Sequence, residues 1–233
     1  MSQVLEAIFE SGPLAPSVRA YVQDVERRAS ERGVAWDLKP LATVPYNGQS
    51  AFQVSGYFVI HPDPVLAVAT GKLAAEWLAV LAHEACHMDQ WWENAPAWQD
   101  NFLPDGREAV DRLDAWCSFA EELSPEDLLD TVRRAKRVEF DCERRTLVEI
   151  ARHGLPINAA IYAQRANAYV HFYDHVARTR AWHAPGDAPY QREDVWRCAP
   201  ARLVETCPAA LTAAYEAHYP VPDRPLRKAL SPR

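Results

Sequence analysis

The chain has 233 residues, 48% of them hydrophobic, and carries a formal net charge of −7. That length and apolar content are enough for one sizeable core, so a single domain over 1–233 is expected, with its core over about 14–180 and a proline-rich extension over about 185–233. The acidic balance argues against a nucleic-acid groove and no apolar run approaches transmembrane length. Glu6 and Glu10 stand where a signal peptide would be basic, so a cytoplasmic protein with neither membrane nor nucleic acid as a partner is expected.

In chain order, a helix is predicted after Pro16, where Val18, Tyr21, Val22 and Val25 form an apolar stripe that ends at Gly33. Residues 34–62 hold the strand material, over 35–39, 41–45 and 51–60, interrupted by a Tyr46-Asn47-Gly48-Gln49 turn. A second helix follows Gly71, with Trp77, Val80 and Leu81 at core-facing spacing. A loop carrying Trp91, Trp92 and Trp98 runs to Gly106, and its rings either line a substrate cleft or pack on the preceding helix. Helices are predicted over 106–122 and 125–153, the latter opened by Ser124 as cap and Pro125 at the first helical position. A further helical pattern covers 157–180, with Asn158, Tyr162, Tyr169 and Tyr173 close to one face, and a short helix covers 208–218. The fold class expected is α+β, mainly α, with a small β-sheet before the second helix. Five cysteines without a repeated spacing do not form a disulfide framework; Cys198 and Cys207 are compatible with pairing or with free thiols. Arg133, Arg134, Lys136, Arg137, Arg144 and Arg145 are interleaved with acids and read as a solvated helix face.

Late in the second helix stands His83-Glu84-Ala85-Cys86-His87. Side chains at i and i+4 share a helix face, so the two imidazoles can reach one metal ion. Glu84, turned about 100° around the axis, is placed to touch a water on that metal and take its proton. Burying two histidines beside a glutamate without a partner would be costly, which favours zinc over a plain core helix. A third histidine of the metzincin type is excluded, because Gln90 stands where glycine is required and Glu93 where the histidine is required. On the helix predicted over 125–153, Glu139 and Glu143 are again i and i+4. One can complete the tetrahedron while the other holds a ligand imidazole by its free N–H; spacing alone leaves open which does which. A di-iron reading of Glu84-x-x-His87 lacks its partner, since Glu149 with His153 and Glu216 with His218 have the wrong spacing. His171 and His175 repeat the i, i+4 spacing, but Phe172 follows the first, so a surface pair is expected.

Together, the histidine motif and Glu139-Phe140-Asp141-Cys142-Glu143 resemble the zincin metallopeptidases of the gluzincin branch. The arrangement from about residue 55 to 175 is similar to small H-E-x-x-H proteins of phages and bacteria. The resemblance implies a zincin-like domain holding Zn²⁺ through His83, His87 and Glu139, with Glu143 behind a ligand imidazole and Glu84 as general base in peptide hydrolysis. Asp89 departs from the pattern, which usually has a hydrophobic residue there. A peptide or protein is the expected substrate, lying along an edge strand beside the motif helix. Tyr162 or Tyr169 is the candidate donor to the oxyanion. The alternative is a zinc-stabilised regulatory or binding protein without turnover, although structural zinc needs no base in the place of Glu84.

Overall fold

The computed structural model describes residues 15–220, the side chains of residues 50–52 excepted; Glu6, Glu10 and the last residues of the tail lie outside this range. The elements in order are α1 (Pro16–Glu31), β1 (Ala35–Lys39), β2 (Val44–Tyr46), β3 (Gln49–Val54), β4 (Gly56–Val59), β5 (Val65–Ala69), α2 (Ala74–Trp92), α3 (Pro96–Asn101), α4 (Ala109–Cys117), α5 (Pro125–His153), α6 (Ala159–Val170), α7 (Phe172–Thr179), α8 (Glu193–Trp196) and α9 (Ala209–His218). The architecture is mixed, mainly helical with small sheets, as expected. Two compact units emerge: residues up to Ala95 with Cys142–Ala159, and Pro96–Asp141 with the chain from Ala160 onward. Among the described residues no helix is long and apolar enough to cross a membrane.

In the first unit, Pro16 opens α1 and the stripe Val18, Tyr21, Val22, Val25 and Ala29 is fully buried. Strands β2 and β3 form an antiparallel hairpin closed by Asn47 (φ 44°) and Gly48 (φ 76°). Both are left-handed, as a two-residue hairpin turn of this kind requires. The strand expected over 51–60 is two strands in different sheets. It breaks at Ser55, whose carbonyl already accepts from the Ala69 N–H (2.8 Å). The three-stranded sheet runs β1-β5-β4, with β1 parallel and β4 antiparallel to β5. Its central strand β5 was not expected. Leu66, Ala67, Val68 and Ala69 are all buried, so the run lacks the apolar–polar alternation by which a half-exposed strand is read.

Strands β4 and β5 pack on α2, whose Trp77, Leu78, Leu81, Ala82, Ala85, Cys86 and Met88 are buried. Gly56 allows the approach: a Cβ there would lie 2.5 Å from Val80 Cγ1 and 2.9 Å from the Ala67 carbonyl oxygen. Two residues on, the Phe58 ring meets Trp91 with centroids 5.8 Å apart. Strand β4 therefore lies along the motif helix. On another side of α2, Asp89 accepts from both Arg28 of α1 and Arg32 just after its end, and Glu149 lies 3.5 Å from Arg28. The two guanidinium groups account for a carboxylate at this position of α2.

The second unit has its own core, built from Leu113 and Trp116 of α4, Val132 and Ala135 of α5, Ala168 of α6, Phe172, Tyr173 and Val176 of α7, and Val195, Trp196, Leu211 and Tyr215 from α8 and α9. The segment read as an extension thus supplies core side chains. The loop before Gly106 contains α3, whose Trp98 is buried. Helix α4 is shorter than expected because Phe119 takes a left-handed φ of 62°. The pattern over 157–180 is two helices meeting at His171. Ser124 caps α5 as expected, its Oγ accepting from the Asp127 N–H (3.1 Å). The expected surface pair His171 and His175 is buried, 1% and 2% exposed. Each donates Nε2–H to a backbone carbonyl of the tail, Val204 at 3.0 Å and Tyr219 at 2.6 Å. Asn167, also buried, donates to the carbonyls of Pro200 and Arg202 and accepts from the Val204 N–H. The basic residues of α5 are ion-paired: Arg133, Arg134 and Arg137 with Asp100, Lys136 with Asp174, and Arg145 with Glu93.

Candidate metal centre

The helical repeat of α2 brings the His83 and His87 rings edge to face, with centroids 4.7 Å apart and Nε2 atoms 3.1 Å apart. What lies behind each ring decides which nitrogen carries the proton. His83 Nδ1 is 3.4 Å from Glu143 Oε1, and Glu143 is 5% exposed. His87 Nδ1 is 2.9 Å from Gln90 Oε1, and Gln90 is fully buried. A carboxylate and an amide oxygen accept hydrogen bonds, so both Nδ1 atoms carry their protons and the two Nε2 atoms converge. At that distance the two nitrogens either share a proton in a hydrogen bond or flank a metal ion. Two Zn–N bonds of about 2.0–2.1 Å at a tetrahedral angle separate the nitrogens by about 3.3 Å, close to the spacing found. The residues present fit a zinc ion.

The electrostatics point the same way. Burial by itself pushes His83 toward lower pKa, yet the neighbouring Cys142 sulfur and Glu143 carboxylate, with their hydrogen bonds, hold it well above the usual histidine value. This pocket favours positive charge. The third group within reach of both histidines is Cys142; among the described residues, one ligand atom from each of His83, His87 and Cys142 lies within 4.8 Å of the others. Its Sγ sits 3.6 Å from His83 Nδ1 and donates to the His83 carbonyl (3.2 Å). That is the protonated side of the ring, turned away from the Nε2 atoms.

Glu84 follows His83 on α2 and is partly exposed. Glu139 lies one turn before Glu143 on α5 and belongs to the second unit. There it acts on Tyr169: burial first, and then the negative charge of Glu139, push the Tyr169 hydroxyl well above the usual tyrosine value. Tyr169 is therefore a protonated phenol, its oxygen 3.3 Å from that of Tyr173. Tyr162 lies two turns earlier on α6 and is partly buried. Thus His83, His87 and Glu143 are brought together in the first unit, and Glu139 with Tyr169 in the second. Sequence reasoning missed Gln90 and Cys142. A polar amide three residues after His87 was a readable signal, since i and i+3 share a helix face; Cys142 gave none beyond its place beside Glu143. No family model matches this chain, and no curated protein or solved structure matches it.

Proposed function

We propose that the chain is a zinc-dependent peptidase in which His83, His87 and Glu139 hold the metal and Glu84 is the general base. The observation that carries this reading is the pair of Nε2 atoms 3.1 Å apart with Glu143 and Gln90 behind the rings. Glu143 is engaged at His83 Nδ1, and the resemblance to the gluzincins gives the third ligand as Glu139, one helical turn before it in α5. Zinc supplies a Lewis acid that polarises a carbonyl and acidifies water. Glu84 takes the proton of the attacking water and returns it to the leaving amine. Tyr169, held as a neutral phenol, is a donor suited to the oxygen on which charge develops. Strand β4 is an edge strand of its sheet beside the motif helix, and such an edge can pair with an extended peptide backbone. The five free cysteines agree with a reducing cytoplasmic compartment.

The test is metal content followed by hydrolysis of a peptide library, comparing wild type with Glu84→Gln at equal zinc occupancy. The amide is nearly isosteric and the substitution leaves the three ligand side chains in place, so fold and zinc are expected to be retained. Turnover is expected to fall by about 10² to 10⁴. Equal activity of the two proteins would remove Glu84 as the base. A zinc-loaded wild type inactive on the whole library would favour a zinc-stabilised binding protein.

A further inference from the structure

Gln90 is buried in α2 with none of its surface exposed. A primary amide has two donors and an acceptor to satisfy, and burying it is unfavourable unless they are engaged. Its Oε1 meets His87 Nδ1 at 2.9 Å, from three residues along the same helix. A neutral imidazole carries one proton and can place it on either nitrogen. With the proton on Nε2, His87 would donate to His83 Nε2 at 3.1 Å, and the two ligands would close on each other. With the proton on Nδ1, the His87 Nε2 lone pair faces His83 Nε2 and is available to accept a proton or bind a cation. The acceptor behind the ring selects between these states.

We infer that Gln90 is a positioning residue for the metal: it holds the His87 proton on Nδ1 and so keeps the site open for the ion. The inference rests on the zinc reading above and concerns a residue that reading does not need. For His83 the corresponding acceptor is Glu143, which arrives from a distant part of the chain. The hold on His87 is local to α2 and forms with the helix itself. Gln90 is also the residue that breaks the metzincin continuation, so the position that excludes one ligand set serves another.

The test uses the full chain with Gln90→Leu and Gln90→Glu. Zinc affinity is read by competition with a chromophoric chelator, and the His87 tautomer by nitrogen NMR shifts of the metal-free protein. In metal-free wild type the neutral His87 ring is expected to carry its proton on Nδ1. Gln90→Leu, which removes the acceptor, is expected to weaken zinc binding about 10- to 100-fold, as loss of a hydrogen-bond partner behind a ligand histidine typically does. Gln90→Glu keeps an acceptor and is expected to bind near the wild-type level, which a purely space-filling role for Gln90 would not require. A wild-type His87 protonated on Nε2, or a Gln90→Leu protein that binds zinc as tightly as wild type, would overturn the inference and leave the zinc reading standing. Should Gln90→Leu fail to fold, the wild-type tautomer decides. A wild type that binds no zinc would overturn both.

Discussion

Asp89 and the acidic pair of α5 carry the residue-scale tests. Asp89 accepts from Arg28 and Arg32, and all three side chains are nearly buried, 14%, 14% and 12% exposed. Removing the carboxylate takes from Arg32 the acid it donates to, in a place with little water, and leaves Arg28 with Asp24 and Glu149. Losing one partner of a buried pair typically costs about 3–5 kcal/mol, far more than the pair adds over an apolar replacement. Asp89→Ala is therefore expected to lower stability by about 3 kcal/mol in chemical denaturation; a change within experimental error would mean that water reaches Arg32. The ligand assignment is tested by zinc content. Glu139→Gln is expected to lose the metal and Cys142→Ala to keep it, because the Cys142 sulfur lies on the Nδ1 side of His83. The reverse result would establish a His83, His87 and Cys142 site, whose thiolate is a softer ligand.

At the scale of elements, β4 against α2 is the contact that the proposed peptide route depends on. Gly56 is where it is tightest, since any Cβ would meet Val80 at 2.5 Å and the Ala67 carbonyl at 2.9 Å. The carbonyl belongs to the neighbouring strand and cannot rotate away. Gly56→Val is expected to cost about 1–3 kcal/mol through overpacking, measured as a lower unfolding midpoint. Zinc binding should survive, because the ligands lie on helices rather than on the strand. If thermal stability is unchanged, β4 does not lie against Val80 as described.

At the scale of the whole molecule, the buried histidines of the second unit set an acid limit to stability. Burial pushes both toward lower pKa. For His171 the positive charge of Lys136 adds to this, while its hydrogen bond to Val204 and the charge of Asp174 oppose it. For His175 the bond to Tyr219 opposes the shift, Arg178 adds to it and Glu216 opposes it. The folded state thus prefers these rings neutral, whereas the unfolded chain protonates them near pH 6.5. Their contribution to stability is complete above that pH and is lost as the pH falls below it toward the folded values, where the unfolded chain binds more protons. Denaturation curves from pH 7 to pH 5 are expected to fall more steeply for wild type than for His175→Asn; parallel curves would remove His175 from the effect. The consequence would be loosening of the tail that His171 and His175 hold through Val204 and Tyr219.

By itself the sequence determined what depends on neighbours within about a turn of chain. Helix α5 runs from Pro125 to His153 as Ser124, Pro125 and Gly154 dictate, and the Asn47-Gly48 turn closes its hairpin. His83 and His87 face each other because the backbone repeat is 3.6 residues. The tertiary structure decided what depends on segments that meet from far apart. Val65–Ala69 is a central strand only because β1 and β4 cover its edges and α2 one face, and its uniform apolarity is silent about that. Glu143 stands behind His83 although 60 residues separate them in sequence, so α5 packing, not spacing, chose it over Glu139 for that role. His171 and His175 read as surface residues from their own helix, and the tail that buries them arrives about 30 to 45 residues later. Helical periodicity fixes which side chains share a face; only the elements packed against that face decide whether it is dry, charged or open to a metal.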